Sequence, residues 1–146
     1  MKTASWIILV LVGAATFLLS LNSLRIAYGS AQDRVGPATI TELSVGRPEV
    51  ATAVRARRAT AAAYAAGFAT LFLAIALVPY RRGEVWAWWA LAAGMTVVSG
   101  LILLRVPFLG IELGSSGAGT ARGGIIQLAV VAAGLALGAG RFRGKA

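Results

Sequence analysis

Four long stretches without a single charged residue constrain this chain more than any other feature of its sequence. Each is close to the ~20 residues that an α-helix needs to cross a hydrocarbon core about 30 Å thick. Each is also too long for a barrel strand of about 10 residues, and a helix satisfies its own backbone hydrogen bonds in lipid. The sequence therefore predicts an all-α fold, an integral membrane four-helix bundle. The stretches cover residues 3–24, 59–80, 85–104 and 123–140.

The composition agrees with a membrane protein of one domain. Hydrophobic residues make up 58% of the chain, charged residues 13%, and the mean hydropathy is +0.79, far too apolar for an ordinary soluble domain. Lys2 and the apolar run after it resemble a signal peptide with a cleavage site at residues 29–31, but the run is too long, and we expect an uncleaved first helix. A single transmembrane domain over residues 1–146 is expected, with helices at about 4–28, 49–80, 84–105 and 122–141 and an extramembrane loop at about 29–48.

The chain lacks the residue types that most catalytic chemistry needs. It contains no histidine and no cysteine, which removes imidazole ligands, thiolate nucleophiles and disulfides. All carboxylates fall outside the predicted spans, so the sequence offers no proton relay within the membrane. We predict a protein that is not an enzyme and that has no cofactor, no metal and no catalytic residue. The carboxylates are Asp33, Glu42, Glu49, Glu84 and Glu112.

The net charge of +9 is explained by arginines that flank the apolar stretches, where they meet lipid phosphates. This pattern favours a membrane interface and not a nucleic-acid surface. The basic residues divide almost evenly between the two sides of the membrane. We predict cytoplasmic termini in a multi-pass protein of a bacterial inner membrane, because the segment outside the membrane at about residues 29–56 and the loop at residues 112–122 carry every carboxylate except Glu84. One side carries Lys2, Arg81, Arg82, Arg141, Arg143 and Lys145, and the other carries Arg25, Arg34, Arg47, Arg55, Arg57, Arg58, Arg105 and Arg122.

The segment "VPYRRGEVWAWWAL", residues 78–91, joins the second and third spans. Gly83 permits a tight reversal, and Glu84 is favoured at the start of the next helix, where it can pair with an arginine. Trp86 and Trp89 share a helix face at about 100° per residue, whereas Trp88 points elsewhere. We predict an interfacial anchor; the alternative is a contact surface for a quinone, a carotenoid or a partner helix. Its residues are Tyr80, Arg81, Arg82, Glu84, Trp86, Trp88 and Trp89.

A set of polar residues falls at similar depth in one leaflet of the predicted bundle. Hydrogen bonding between helices is the structural interpretation, and a site for a lipid headgroup or a small polar ligand is the functional one. Arg25 is the member expected to matter most, with Asp33 or Glu112 as its partner. The set is Asn22, Arg25, Tyr64, Ser99 and Gln127.

Small residues recur at four-residue spacing in two spans. This spacing lets helix backbones approach closely, either within the bundle or against another subunit. The residues are Ala59, Ala63 and Gly67 in the second span, and Gly134 and Gly138 in the fourth.

The hairpin, preceded by Arg57 and Arg58 at the start of an alanine-rich helix, resembles a pattern in small bacterial four-helix membrane proteins, some of them grouped with the DoxX-like proteins. The resemblance covers about a third of the chain. It implies a four-helix bundle that serves as an accessory to a larger membrane system, and it transfers no catalytic residue.

The resemblance and the small-residue faces together predict a non-catalytic accessory or scaffolding subunit of a larger membrane protein complex. Its expected partners are the lipid bilayer and other membrane subunits or copies of itself, without nucleic acid. The alternative is a stand-alone membrane protein that binds a lipid, quinone, carotenoid or other hydrophobic ligand.

Overall fold

The computed structural model describes residues 2–29, 34–35, 38–109 and 119–140. Within them, four helices are long and apolar enough to cross a membrane: Thr3–Gly29, Pro48–Tyr80, Val85–Phe108 and Arg122–Ala139. This confirms the predicted all-α class with four spanning helices, and it makes the chain a multi-pass membrane protein. Predictions that concern residues 30–33, 36–37, 110–118 and 141–146, including Asp33 and Glu112, lie outside the described residues.

The long helices agree closely with the predicted bounds. They are α1 (Lys2–Gly29), α3 (Pro48–Ile75), α4 (Val85–Leu103) and α6 (Gly119–Ala139). A short helix α5 (Arg105–Leu109) follows α4 directly. The sequence predicts one continuous second helix over residues 49–80, whereas the last turn, Ala76–Tyr80, is a π-helix. Pro79 explains the difference, because its ring clashes with the carbonyl four residues earlier and removes one hydrogen bond of the α-helical ladder.

The predicted loop at residues 29–48 contains regular structure. Strands β1 (Arg34–Val35) and β2 (Ala38–Thr39) pair antiparallel, with Val35 opposite Ala38, and lead into helix α2 (Ile40–Leu43). A capping box fixes the start of α2: Thr39 N donates to Glu42 Oε2 at 2.7 Å, and Glu42 N donates to Thr39 Oγ1 at 3.2 Å.

The chain divides into two compact units. Unit 1 consists of Met1–Ala14 and Leu71–Ala146, and unit 2 consists of Ala15–Thr70. Both boundaries fall inside helices, α1 and α3, because each of these helices is long enough to contribute to both units. The single transmembrane domain expected from the sequence stays a prediction.

The core of unit 1 is a stripe along α4 that packs against α6 and the π-helical turn. Ala87, Leu91, Met95 and Ser99 recur every fourth residue on this stripe, and all are buried. The π-helical turn and α4 are joined by a tight reversal at Gly83, whose φ of 81° confirms the predicted role of this glycine. In unit 2 the buried residues are mostly small: Ser20, Ala27, Ile40, Ala59, Ala62 and Ala69.

Candidate functional site

A buried hydroxyl pair lies at the centre of unit 1. Ser5 Oγ donates to the carbonyl oxygen of Gly134 at 2.7 Å, so its other partner, Tyr80 Oη at 2.5 Å, is the donor of that second bond. Ser5 is 1% exposed and Tyr80 is not exposed at all. The pair therefore links α1, the π-helical turn and α6 through satisfied hydrogen bonds in an apolar interior.

Two glycines on α6 leave room for side chains of unit 1, and one of them, Gly138, makes room for this pair. A Cβ atom at Gly138 would overlap Tyr80 Oη and would lie 2.7 Å from Ser5 Oγ. A Cβ atom at Gly134 would lie 3.1 Å from a methyl carbon of Ile8. The small-residue face of α6, predicted from its four-residue spacing, thus lies against side chains of unit 1 itself.

The hairpin places most of its aromatic residues at the surface of unit 1. Trp86 is 54% and Trp89 is 64% exposed, on one face of α4 as predicted. Trp88 points elsewhere, and its Nε1 donates to the carbonyl oxygen of Leu135 at 3.1 Å. Tyr80 differs from the prediction of an interfacial anchor, because its burial against Ser5 directs the ring into the core.

The charged residues of the hairpin contact aromatic rings. The Arg81 guanidinium lies 5.1 Å from the ring centre of Trp6, within the range of a cation–π contact. Glu84 was expected to pair with Arg81 or Arg82, but its Oε2 instead accepts a hydrogen bond from Trp86 Nε1 at 2.5 Å. Arg81 and Arg82 line a shallow groove with Leu77 and Val78 at the surface of unit 1. This arrangement suits a helix end in the headgroup layer, where Trp and Arg are favoured.

The small residues on α3 are more exposed than those on α6. Ala59 is buried, whereas Ala63 and Gly67 are exposed, as is Thr70 one turn further on. A Cβ atom at Gly67 would meet no atom of the described residues within 4 Å. This part of α3 therefore presents an open face of small residues.

The five residues of the predicted polar set belong to different units. Asn22, Arg25 and Tyr64 lie in unit 2, where all three are exposed. Ser99 and Gln127 lie in unit 1; Ser99 is fully buried and its Oγ has no hydrogen-bond partner among the described residues. Their convergence on one ligand stays a prediction.

Unit 2 contains a surface groove that was not predicted from the sequence. Tyr28 from α1 lines it together with the exposed ring of Tyr64, and its volume is about 610 Å³. Arg55, which also belongs to unit 2 but does not line the groove, has a buried Nε with no hydrogen-bond partner among the described residues. The helical spacing of the groove residues on α3 could have indicated a shared surface, because it places all of them on one helix face. These residues are Ala56, Ala59, Thr60, Ala63 and Tyr64.

No group of three or more histidine, cysteine, aspartate or glutamate side chains in the described part of the chain is placed to hold a metal ion. Comparison of the chain with protein-family models, curated proteins and solved structures finds no match. The likeness of the hairpin to DoxX-like proteins therefore stays a prediction. What the fold defines is the class, a multi-pass α-helical membrane protein.

Proposed function

We propose that this protein is a non-catalytic accessory or scaffolding subunit of a larger membrane complex, and that α3 is the helix that contacts the partner. The observation that carries the proposal is the open face of Ala63, Gly67 and Thr70, hereafter the α3 face. All three residues are exposed, and no described side chain occupies the space above Gly67.

The α3 face matters because lipid supplies no hydrophobic driving force between helices. Helices in a membrane associate mainly where small residues let their backbones approach closely, so that dispersion contacts and weak hydrogen bonds accumulate. The comparable glycines on α6, Gly134 and Gly138, are already covered by side chains of unit 1. The α3 face has the same chemistry, and no residue in the described part of the chain covers it.

The occupant that fits this face is a transmembrane helix of another subunit. Ala63 and Gly67 are four residues apart, which matches the small-xxx-small spacing of right-handed helix pairs that cross at about −40°. Helices that cross at this angle diverge on both sides of the crossing point, so the partner would touch the α3 face and then diverge from α3. The exposed Trp86 and Trp89 would hold α4 at a fixed depth beside such a complex.

The experiment compares Gly67→Leu with Gly100→Leu. Gly100, on α4, is also exposed, and a Cβ atom there would also meet no atom within 4 Å in the part of the chain that the structure describes. The tagged protein is extracted from its own membranes in a mild detergent, and its subunit composition is measured by native mass spectrometry. A stoichiometric partner subunit should accompany the wild-type chain and the Gly100→Leu variant, and Gly67→Leu should lose it.

The proposal is refuted if the wild-type chain is extracted as a bare monomer, or if Gly67→Leu retains its partner at full stoichiometry. A bare monomer that carries a bound apolar molecule would instead favour the alternative function, a stand-alone protein that binds a hydrophobic ligand.

The membrane and the orientation form part of the same proposal. We place the protein in the cytoplasmic membrane of a bacterium, with both termini on the cytoplasmic side. The distribution of carboxylates in the loops supports this orientation. A fluorescent protein fused to the C-terminus should fluoresce, and alkaline phosphatase at the same position should be inactive; the reverse pattern would place the C-terminus outside.

A further inference from the structure

We propose that the groove at the end of the π-helical turn binds one anionic phospholipid, with its phosphate at Arg82 and the start of an acyl chain against Leu77 and Val78. The groove belongs to unit 1, whereas the α3 face belongs to unit 2, so the lipid site does not depend on the partner proposed above. The four side chains that line the groove are Leu77, Val78, Arg81 and Arg82.

The groove has an apolar half and a cationic half. Arg81 follows Leu77 by four residues and Arg82 follows Val78 by four, so each arginine lies about one turn beyond an apolar side chain. Leu77 is 43% and Val78 is 48% exposed, and both arginines are exposed as well. A phospholipid has the same order of chemistry along the membrane normal, because its acyl chains lie in the hydrocarbon core and its phosphate lies at the edge of that core.

The size of the groove suits one part of a lipid molecule. Its volume is about 420 Å³, which falls within the range of roughly 300–1,000 Å³ found for small-ligand sites. The second spanning helix ends at Tyr80 and the third begins at Val85, so the two arginines lie between spans, where headgroups are expected. The groove therefore receives a headgroup and the first carbons of an acyl chain, while the rest of the lipid stays in the bilayer.

The charges around the groove favour an anion. A guanidinium binds a phosphate through two parallel hydrogen bonds, and Arg82 is exposed and lines the groove itself. Glu84 is the one carboxylate of unit 1 in the described part of the chain, and it accepts a hydrogen bond from Trp86 Nε1 on α4. Two arginines against this single glutamate leave the end of the hairpin with a net positive charge.

The second arginine of the groove is held in place by an aromatic ring. The Arg81 guanidinium lies 5.1 Å from the ring centre of Trp6, which also belongs to unit 1, and a cation–π contact of this kind keeps the full charge of the arginine. A side chain that is already ordered loses less conformational entropy when a ligand binds beside it. Arg81 therefore supplies a fixed positive charge next to Arg82, which favours a lipid with a net negative charge over a zwitterionic one.

The experiment measures lipid retention by native mass spectrometry of the full chain from nanodiscs that contain equal amounts of phosphatidylglycerol and phosphatidylcholine. The wild-type protein should keep one phosphatidylglycerol molecule in preference to phosphatidylcholine, whose quaternary ammonium group would lie near two arginines. Arg82→Gln should lower this retention about tenfold, because it removes the charge and the paired donors. The matched control is Arg105→Gln, at the far end of α4, which removes an exposed arginine that does not line the groove and should change retention by less than about twofold.

A second variant keeps both arginines and competes with the lipid for one of them. Val78→Glu places a carboxylate four residues before Arg82, the spacing at which a glutamate and an arginine pair along a helix. It should abolish the preference for phosphatidylglycerol, with helix content checked by circular dichroism.

Equal retention of the two lipids by the wild-type chain would overturn the proposal. Equal losses for Arg82→Gln and Arg105→Gln would also overturn it, because they would show a general attraction of the membrane surface and not a site. Full retention by Val78→Glu would have the same meaning. Gly67→Leu should keep the lipid, so that failure of the partner proposal and failure of the lipid proposal give different results.

Discussion

Because α6 approaches the Ser5–Tyr80 pair closely, we expect the effects of Gly138→Ala and Tyr80→Phe on the free energy of unfolding to be strongly non-additive. The methyl group that Gly138→Ala introduces would overlap Tyr80 Oη and lie 2.7 Å from Ser5 Oγ and 3.3 Å from Tyr80 Cζ. Forcing an extra carbon into a packed core costs about 1–3 kcal/mol. We expect Gly138→Ala to lower the free energy of unfolding by about 2 kcal/mol, near the middle of that range.

Tyr80→Phe removes the atom that the new methyl group would overlap. Alone it removes one hydrogen bond between helices, which is worth about 0.6 kcal/mol on average in membrane proteins. Ser5 Oγ keeps its bond to the Gly134 carbonyl oxygen. In the double variant the overlap with Tyr80 Oη is gone and the nearest ring carbon at position 80 stays 3.3 Å away, whereas the contact of 2.7 Å with Ser5 Oγ remains, so the clash is relieved in part. We expect the double variant to be at least about 1 kcal/mol more stable than the sum of the single effects implies.

The assay is unfolding in mixed micelles with increasing dodecyl sulfate, followed by tryptophan fluorescence. The chain has four tryptophans, all in unit 1, so the signal reports the unit that contains the pair. Gly100→Ala is the control, because a Cβ atom at that position meets none of the described residues within 4 Å and should not destabilise the protein. The reasoning is refuted if Gly138→Ala behaves like Gly100→Ala, or if the two substitutions are additive within about 0.5 kcal/mol.

Three further substitutions test the local geometry. Gly83→Ala should destabilise the hairpin by about 1 kcal/mol, because alanine is strained at the φ of 81°, and the same unfolding assay would detect it. Trp88→Phe should cost about 1 kcal/mol by leaving the Leu135 carbonyl oxygen without its donor, whereas an unchanged unfolding midpoint would contradict the hydrogen bond. Thr39→Ala should remove half of the capping box and increase hydrogen exchange at Glu42 by about fivefold, equivalent to about 1 kcal/mol of local opening; unchanged exchange would show that the cap contributes little.

The spans were predictable because each is determined by the local sequence, as a charge-free apolar stretch of sufficient length. The start of α4 and the separation of Trp88 from Trp86 and Trp89 followed from the same local rules. The capping box was also present in the sequence, as Thr39 followed three residues later by Glu42, and could have been recognised from that spacing.

The interior contacts could not be predicted in this way. Ser5 and Tyr80 are 75 residues apart, and Ser5 and Gly134 are 129 residues apart, so no local sequence pattern predicts their hydrogen bonds. The small-residue spacing on α3 and on α6 is the same, yet Gly138 is covered and Gly67 is open. Spacing predicts that a helix face can pack closely, but only the tertiary structure determines which neighbour fills it.

The space that Gly138 leaves for the Tyr80 hydroxyl has an evolutionary consequence. A side chain at position 138 is most unfavourable as long as position 80 is tyrosine, and it becomes less unfavourable once position 80 is phenylalanine, when only the contact with Ser5 Oγ must adjust. The order of substitution therefore matters: the loss of the hydroxyl opens a mutational route that is closed in the present chain. In homologous sequences we expect a residue larger than glycine at position 138 to occur together with a residue other than tyrosine at position 80, and such covariation would identify α6 and the π-helical turn as neighbours without a structure.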